Sequence, residues 1–112
     1  MTDDMFNKRC KPCEAGIPPL SKERIQTLLS ELPEWEVNDD HTVITRKFSF
    51  KNFLRTMAFV NAVAYVANQE GHHPDMHVGY NYCTIDFTTH AIDGLSDNDF
   101  ICAHRVDELV KL

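Results

Sequence analysis

The sequence predicts an α+β fold: a single domain in the order α-β-β-α-β-β-α, with a four-stranded antiparallel sheet and helices on one of its faces. Three observations carry this. Apolar residues recur at helical spacing in three separate segments, strand-like segments fall in pairs between them, and turn-forming residues mark the junctions. The chain has 112 residues, enough for one domain with one core.

Residues 1–19 are expected to form a flexible N-terminal arm, because Cys10-Lys11-Pro12-Cys13 and Gly16-Ile17-Pro18-Pro19 show no periodicity. The folded domain then spans 20–112. Ser21 can cap a first helix whose Ile25, Leu28, Leu29 and Leu32 share a face until Pro33 stops it. Trp35 and Val37, the turn Asn38-Asp39-Asp40, and the segment Thr42 to Phe48 predict a hairpin. Ser49 is a candidate cap for a long helix to about Gln69, with Phe53, Met57, Val60, Ala64 and Ala67 as its apolar stripe. Leu54, Ala58, Phe59 and Tyr65 widen that stripe, which suits either a deep core position or a partner subunit. Gly71 ends the helix and Pro74 prevents its resumption. Strands follow at about His77–Tyr80 and Cys83–His90, turning near Asn81; Cys83, Ile85 and Phe87 alternate with Thr84, Asp86 and Thr88. Ser96, with Asp99 three residues on in a capping-box arrangement, opens the last helix.

Composition excludes several functions. Lys and Arg number 11 against 17 Asp and Glu, a formal charge of −6, the wrong sign for a generic nucleic-acid binder. The acidic start Met1-Thr2-Asp3-Asp4 lacks an apolar signal region. The apolar stretch Met57 to Ala67 is about half of the roughly 20 residues a membrane span needs. The expectation is a cytoplasmic protein whose four cysteines (Cys10, Cys13, Cys83, Cys102) are thiols.

The chemistry concentrates in Glu70-Gly71-His72-His73-Pro74-Asp75-Met76-His77, where three of six histidines fall within six residues. Imidazole is the side chain best suited to proton transfer near neutrality, with an ordinary pKa of about 6.5. Strand parity places His90 on the polar face with Asp86 and Thr88, at a strand end that the histidine loop can reach. His41, His77 and His104 read as solvated positions, and Asp99 is explained by its capping role alone. A competing reading is a metal site of His72, His73, Asp75, His77 and His90, whose ligand types suit zinc or iron but whose spacing matches neither H-E-x-x-H nor a clear facial triad. Cys10-x-x-Cys13 has no second ligand pair, so neither a metal nor a redox role is assigned to it.

At these residues the chain resembles the pterin-4a-carbinolamine dehydratases, of the bacterial type. The matching run is His72-His73-Pro74, then Tyr80, His90 and Asp99 at fixed spacing; Trp35, the stretch Phe48 to Phe53, Glu70-Gly71, Thr89-His90 and Gly94-Leu95-Ser96 extend it from Ser21 to the C-terminus. Asn68 stands where the family usually has a charged residue. The resemblance implies dehydration of 4a-hydroxytetrahydrobiopterin to the quinonoid dihydropterin, recycling the pterin of an aromatic amino acid hydroxylase. It implies His72, His73 and His90 as catalytic residues, Pro74, Tyr80, Asp99 and Glu70 on the substrate-binding side, no metal and no cofactor beyond the pterin substrate. The resemblance also implies a homodimer or homotetramer. The alternative is a non-catalytic pterin-binding or protein-binding co-regulator module.

Overall fold

The computed structural model describes residues 4–12 and 16–111. Helix α1 spans Lys22–Leu29, β1 Glu36–Val37, β2 Ile44–Ser49, α2 Phe53–Glu70, β3 Asp75–Val78, β4 Tyr82–Phe87 and α3 Asp97–Leu109. The strands form one antiparallel sheet in the order β1-β2-β4-β3. The α+β class, the element order and the four-stranded sheet match expectation.

Register explains why the sheet is one-sided. Ile44 faces Phe87 across the β2–β4 ladder, Arg46 faces Ile85, and Phe48 faces Cys83. Side chains alternate along a strand, so these residues share one face, and all but Arg46 are buried. They meet Ile25 and Leu28 of α1, Phe59 and Val63 of α2, and Phe100, Ala103 and Val106 of α3. The opposite face is polar: Thr45 donates to Asp86 at 2.7 Å and the Lys47 ammonium lies 4.9 Å from the Tyr82 ring centroid.

The termini of the helices follow local chemistry. The Ser21 hydroxyl accepts from the Arg24 N–H, as expected of a cap. The first helix ends at Leu29 rather than running to Pro33, yet Leu32 is still buried because two i→i+3 turns continue the curl: Glu31 N–H to Leu28 O and Leu32 N–H to Leu29 O. Ser49 is not the cap of α2. It pairs with Tyr82 as the last residue of β2, and Asn52 caps the helix by accepting from the Arg55 N–H at 2.9 Å.

The long helix is also rotated from the expected orientation. Its buried residues are Thr56, Phe59, Val63 and Ala67, whereas Phe53 is 51% and Leu54 80% exposed in the isolated chain. An almost uniformly apolar helix does not specify by periodicity which side meets the sheet; the aromatic cluster of Phe48, Phe50 and Phe59 makes that choice.

The N-terminal segment carries a buried anchor. A 3₁₀ turn at Asp4–Asn7 places Phe6, 2% exposed, on the His104 ring at 4.9 Å between centroids. His104, expected to be solvated, therefore packs as an aromatic surface. Cys13 lies outside the described residues. Among the described residues no helix is long and apolar enough to cross a membrane.

Candidate active site

The histidine loop begins where α2 stops. Gly71 takes the left-handed conformation (φ 66°) that ends the helix, which an L side chain adopts only with strain. Its N–H and that of His72 both bond the Ala67 carbonyl. The chain thereby turns back over the sheet, and the His72 ring stacks on Phe87 at 6.0 Å, nearly parallel.

His90 arrives from the other side. Strand pairing ends at Phe87, so the parity expected to reach residue 90 fails, and His90 opens a 3₁₀ turn, His90–Ile92, instead. Mutual Thr89–Gly94 backbone bonds close this turn as a tight loop. Proximity to the histidine loop survives the change of geometry. His72, His73 and His90 line one open cleft of about 430 Å³, with Glu70, Gly71, Thr88, Thr89, Ala91, Asn98 and the arm residues Cys10, Lys11 and Pro12. That volume falls within the roughly 300–1,000 Å³ of small-molecule clefts.

Beneath the cleft lies Asp99, with 0% exposure. Its Oδ1 is 2.5 Å from His72 Nε2, and its Oδ2 accepts from the Thr89 hydroxyl at 2.7 Å and the Ser96 N–H at 3.0 Å. The Ser96 and Thr89 hydroxyls are themselves 2.7 Å apart. The capping residue of α3 is thus also the partner of His72. Asp99 is completely buried, and within the described residues its carboxylate faces the His72 imidazole rather than the open cleft. Thr89, which sequence reasoning left without a role, is a buried polar residue continuing the apolar face of Cys83, Ile85 and Phe87, and such a position requires a partner.

Other expected residues fall elsewhere. Tyr80 sits in the β3–β4 turn, 66% exposed and stacked on Phe53 at 6.4 Å, at the start of α2. The cleft lies beyond the other end of that 18-residue helix, about 27 Å away. Within one chain Tyr80 and the histidines are not brought together. Pro74 lines an adjoining groove with His73, Asn68 and Met76. His77 is exposed and 3.8 Å from Asp86 on the polar sheet face. Among the described residues, no three His, Cys, Asp or Glu side chains converge as a metal site.

Glu70 faces the arm. Its buried carboxylate accepts from the Cys10 N–H at 2.9 Å and pairs with Arg9 at 2.7 Å and Arg105 at 3.3 Å. Burial raises the carboxyl, but the Cys10 N–H and the Arg105 and Arg9 guanidinium groups outweigh it, so Glu70 titrates below 4.5. The ionised form is favoured by folding, so the contribution is complete above about pH 4.5 and fades as pH falls through the lower folded value. Glu70→Gln should therefore melt below the wild type at pH 7, with the gap closing toward pH 3. A pH-independent gap in thermal scans would contradict this assignment.

The Cys10 and Cys102 thiols lie 3.5 Å apart. Their hydrogen bond, with burial, pushes Cys102 far up, which keeps it a thiol at neutral pH.

The molecule is a one-sided α+β domain with a histidine-lined cleft and a buried carboxylate behind it, and comparison with known proteins gives its class. The family model described as "Pterin 4 alpha carbinolamine dehydratase" matches residues 18–109, and the chain belongs to this family of hydro-lyases. It is 58% identical over 108 residues to a Nitrosomonas eutropha protein named for the same dehydratase, covering 96% of this chain and 94% of that one. A Legionella pneumophila (strain Corby) protein of the same name is 54% identical over 111 residues, 98% of each chain. Among solved structures, a transcriptional coactivator/pterin dehydratase from Brucella melitensis superposes with TM-score 0.78 at 27% identity, covering 81% of this chain and 97% of its own. A pterin dehydratase-like protein identified as a RuBisCO assembly factor in the alpha-carboxysome gives TM-score 0.60 at 26% identity, covering 68% and 88%.

Proposed function

We propose that the chain dehydrates 4a-hydroxytetrahydrobiopterin to the quinonoid dihydropterin and water by histidine acid–base catalysis, with no cofactor besides its substrate. The observation that carries this reading is the His72–Asp99 pair set beside His73 and His90 in one cleft. In a carbinolamine, hydroxyl and ring nitrogen share a carbon. The nitrogen lone pair expels the hydroxyl as water once the oxygen is protonated, and a neighbouring N–H proton must be removed. One acid and one base are sufficient.

Asp99 distinguishes the two roles. A buried carboxylate beside Nε2 stabilises the imidazolium formed when the ring accepts a proton, which makes His72 the base, working through Nδ1. His90, exposed at the cleft edge, then supplies the proton to the departing hydroxyl. His73 orients the pterin. The reaction fits a cytoplasmic role recycling the pterin of an aromatic amino acid hydroxylase. The exposed Leu54, Tyr65 and Phe53 of α2 support a homodimer or homotetramer.

The decay of 4a-hydroxytetrahydrobiopterin, followed by ultraviolet absorbance with chelator present, tests the reading. The wild type should accelerate it, and His72→Ala and His90→Ala should each lower kcat about 10²-fold. Folded protein that leaves the decay unchanged would overturn the enzymatic reading in favour of a binding module, the kind of role described for the carboxysome assembly factor. Loss of activity with chelator would favour the metal-site reading.

A further inference from the structure

We propose that the N-terminal arm is a wall of the substrate cleft, and that Asn98 is the residue that positions it; this rests on the dehydratase reading above. The arm lies outside residues 18–109, the part of the chain that matches the family, yet Cys10, Lys11 and Pro12 line the same cleft as His72, His73 and His90. Their placement is fixed at several points. Asn98, buried in the first turn of α3, holds the Lys11 backbone at both of its polar groups: its Oδ1 accepts from the Lys11 N–H at 3.0 Å and its Nδ2 donates to the Lys11 carbonyl at 2.5 Å. One residue earlier, the Cys10 N–H is held by Glu70. Farther back, Arg105 donates to the Lys8 carbonyl at 3.2 Å and Phe6 is buried against His104.

A two-point amide clamp on the N–H and carbonyl of one residue fixes both position and rotation of the backbone there, which a single hydrogen bond does not. The outcome is a fixed surface across an otherwise open cleft, 87 residues distant in sequence from its clamp. The described part of this surface bonds Glu70, Asn98 and Arg105 rather than His72 or Asp99, so its contribution falls on binding of the pterin body rather than on proton transfer. Contacts made equally in ground and transition states change KM and leave kcat alone.

Steady-state kinetics of two variants test the idea. Asn98→Ala removes the clamp at the cleft, and Phe6→Ala loosens the arm at a residue that does not line it. Both should raise KM by about fivefold or more with kcat within about twofold, the opposite of the kcat loss expected for His90→Ala. Asn98→Asp, which keeps the acceptor and loses the donor, should give an intermediate KM and serves if Phe6→Ala fails to fold. Calorimetric titration with 7,8-dihydrobiopterin should show Kd rising in the same order. Unchanged KM and Kd in folded Asn98→Ala would overturn the wall while leaving the dehydratase reading intact. A wild type that binds the pterin without turnover would overturn the dehydratase reading, with the Kd series still deciding the wall.

Discussion

Asp99→Asn should lower kcat by about 10³-fold while leaving a folded protein. Asparagine matches aspartate in shape, and its carbonyl oxygen can still accept from the Thr89 hydroxyl and the Ser96 N–H that now meet Oδ2. What changes is the group facing His72. A carboxylate only accepts, so in the proposed mechanism it puts the ring proton on Nε2 and leaves Nδ1 to take one from substrate. An amide NH2 at the Oδ1 position, 2.5 Å from Nε2, would instead donate, moving the ring proton to Nδ1. The base is then blocked, and the charge that stabilises its protonated form is gone. In Ser-His-Asp triads the same substitution costs about 10⁴-fold through the same tautomer change. Asp99→Leu is a harsher control, because it strands the Ser96 N–H, leaves the Thr89 hydroxyl only the Ser96 hydroxyl, and should cost about 2–4 kcal/mol of stability. Stopped-flow turnover, read beside a thermal melt, separates the two effects. A kcat for Asp99→Asn within threefold of wild type would remove Asp99 from the mechanism.

How far the sequence reveals this site depends on how local each determinant is. Ser21 and the Ser96–Asp99 pair are legible because a cap is settled within one helical turn, and the alternation of Cys83, Ile85 and Phe87 is legible because strand parity is a two-residue rule. The face of α2 is not, since an apolar helix can turn several sides to a sheet and only the packed aromatic residues choose among them. His90 shows the limit of parity: the rule holds while pairing holds, and pairing stops three residues earlier. Tyr80 shows the limit of motif spacing, for a fixed interval in sequence does not reveal that within one chain it and the histidines lie at opposite ends of an 18-residue helix. Lys11 and Asn98 left no local trace, because each finds its partner 87 residues away.

Asp107→Ala should destabilise the fold by about 3 kcal/mol, lowering Tm by roughly 10 °C. Asp107 Oδ1 accepts from the buried Trp35 indole N–H at 2.9 Å and from Arg46 at 2.8 Å, tying α3 to the segment before β1 and to β2. Trp35 packs on Phe48 and Phe87, so the indole cannot turn toward water without opening the core. Alanine leaves that N–H and a largely covered guanidinium without their acceptor. Asp107→Asn is the informative contrast. Burial pushes the Asp107 carboxyl up even against the lowering by Trp35 and Arg46, so the buried charge is itself a burden on the native state. The sign follows: with the folded value raised above 3.8, this group weakens folding above that pH and the penalty is relieved as pH falls through the raised value. Asparagine keeps an acceptor for the indole and sheds the charge, so its loss at pH 7 should stay within about 1 kcal/mol, and the acid relief should disappear. Thermal scans from pH 7 to 4 resolve both. An asparagine variant as unstable as the alanine variant would show that Arg46 requires a charged partner, and that the ion pair rather than the indole hydrogen bond holds this corner of the core.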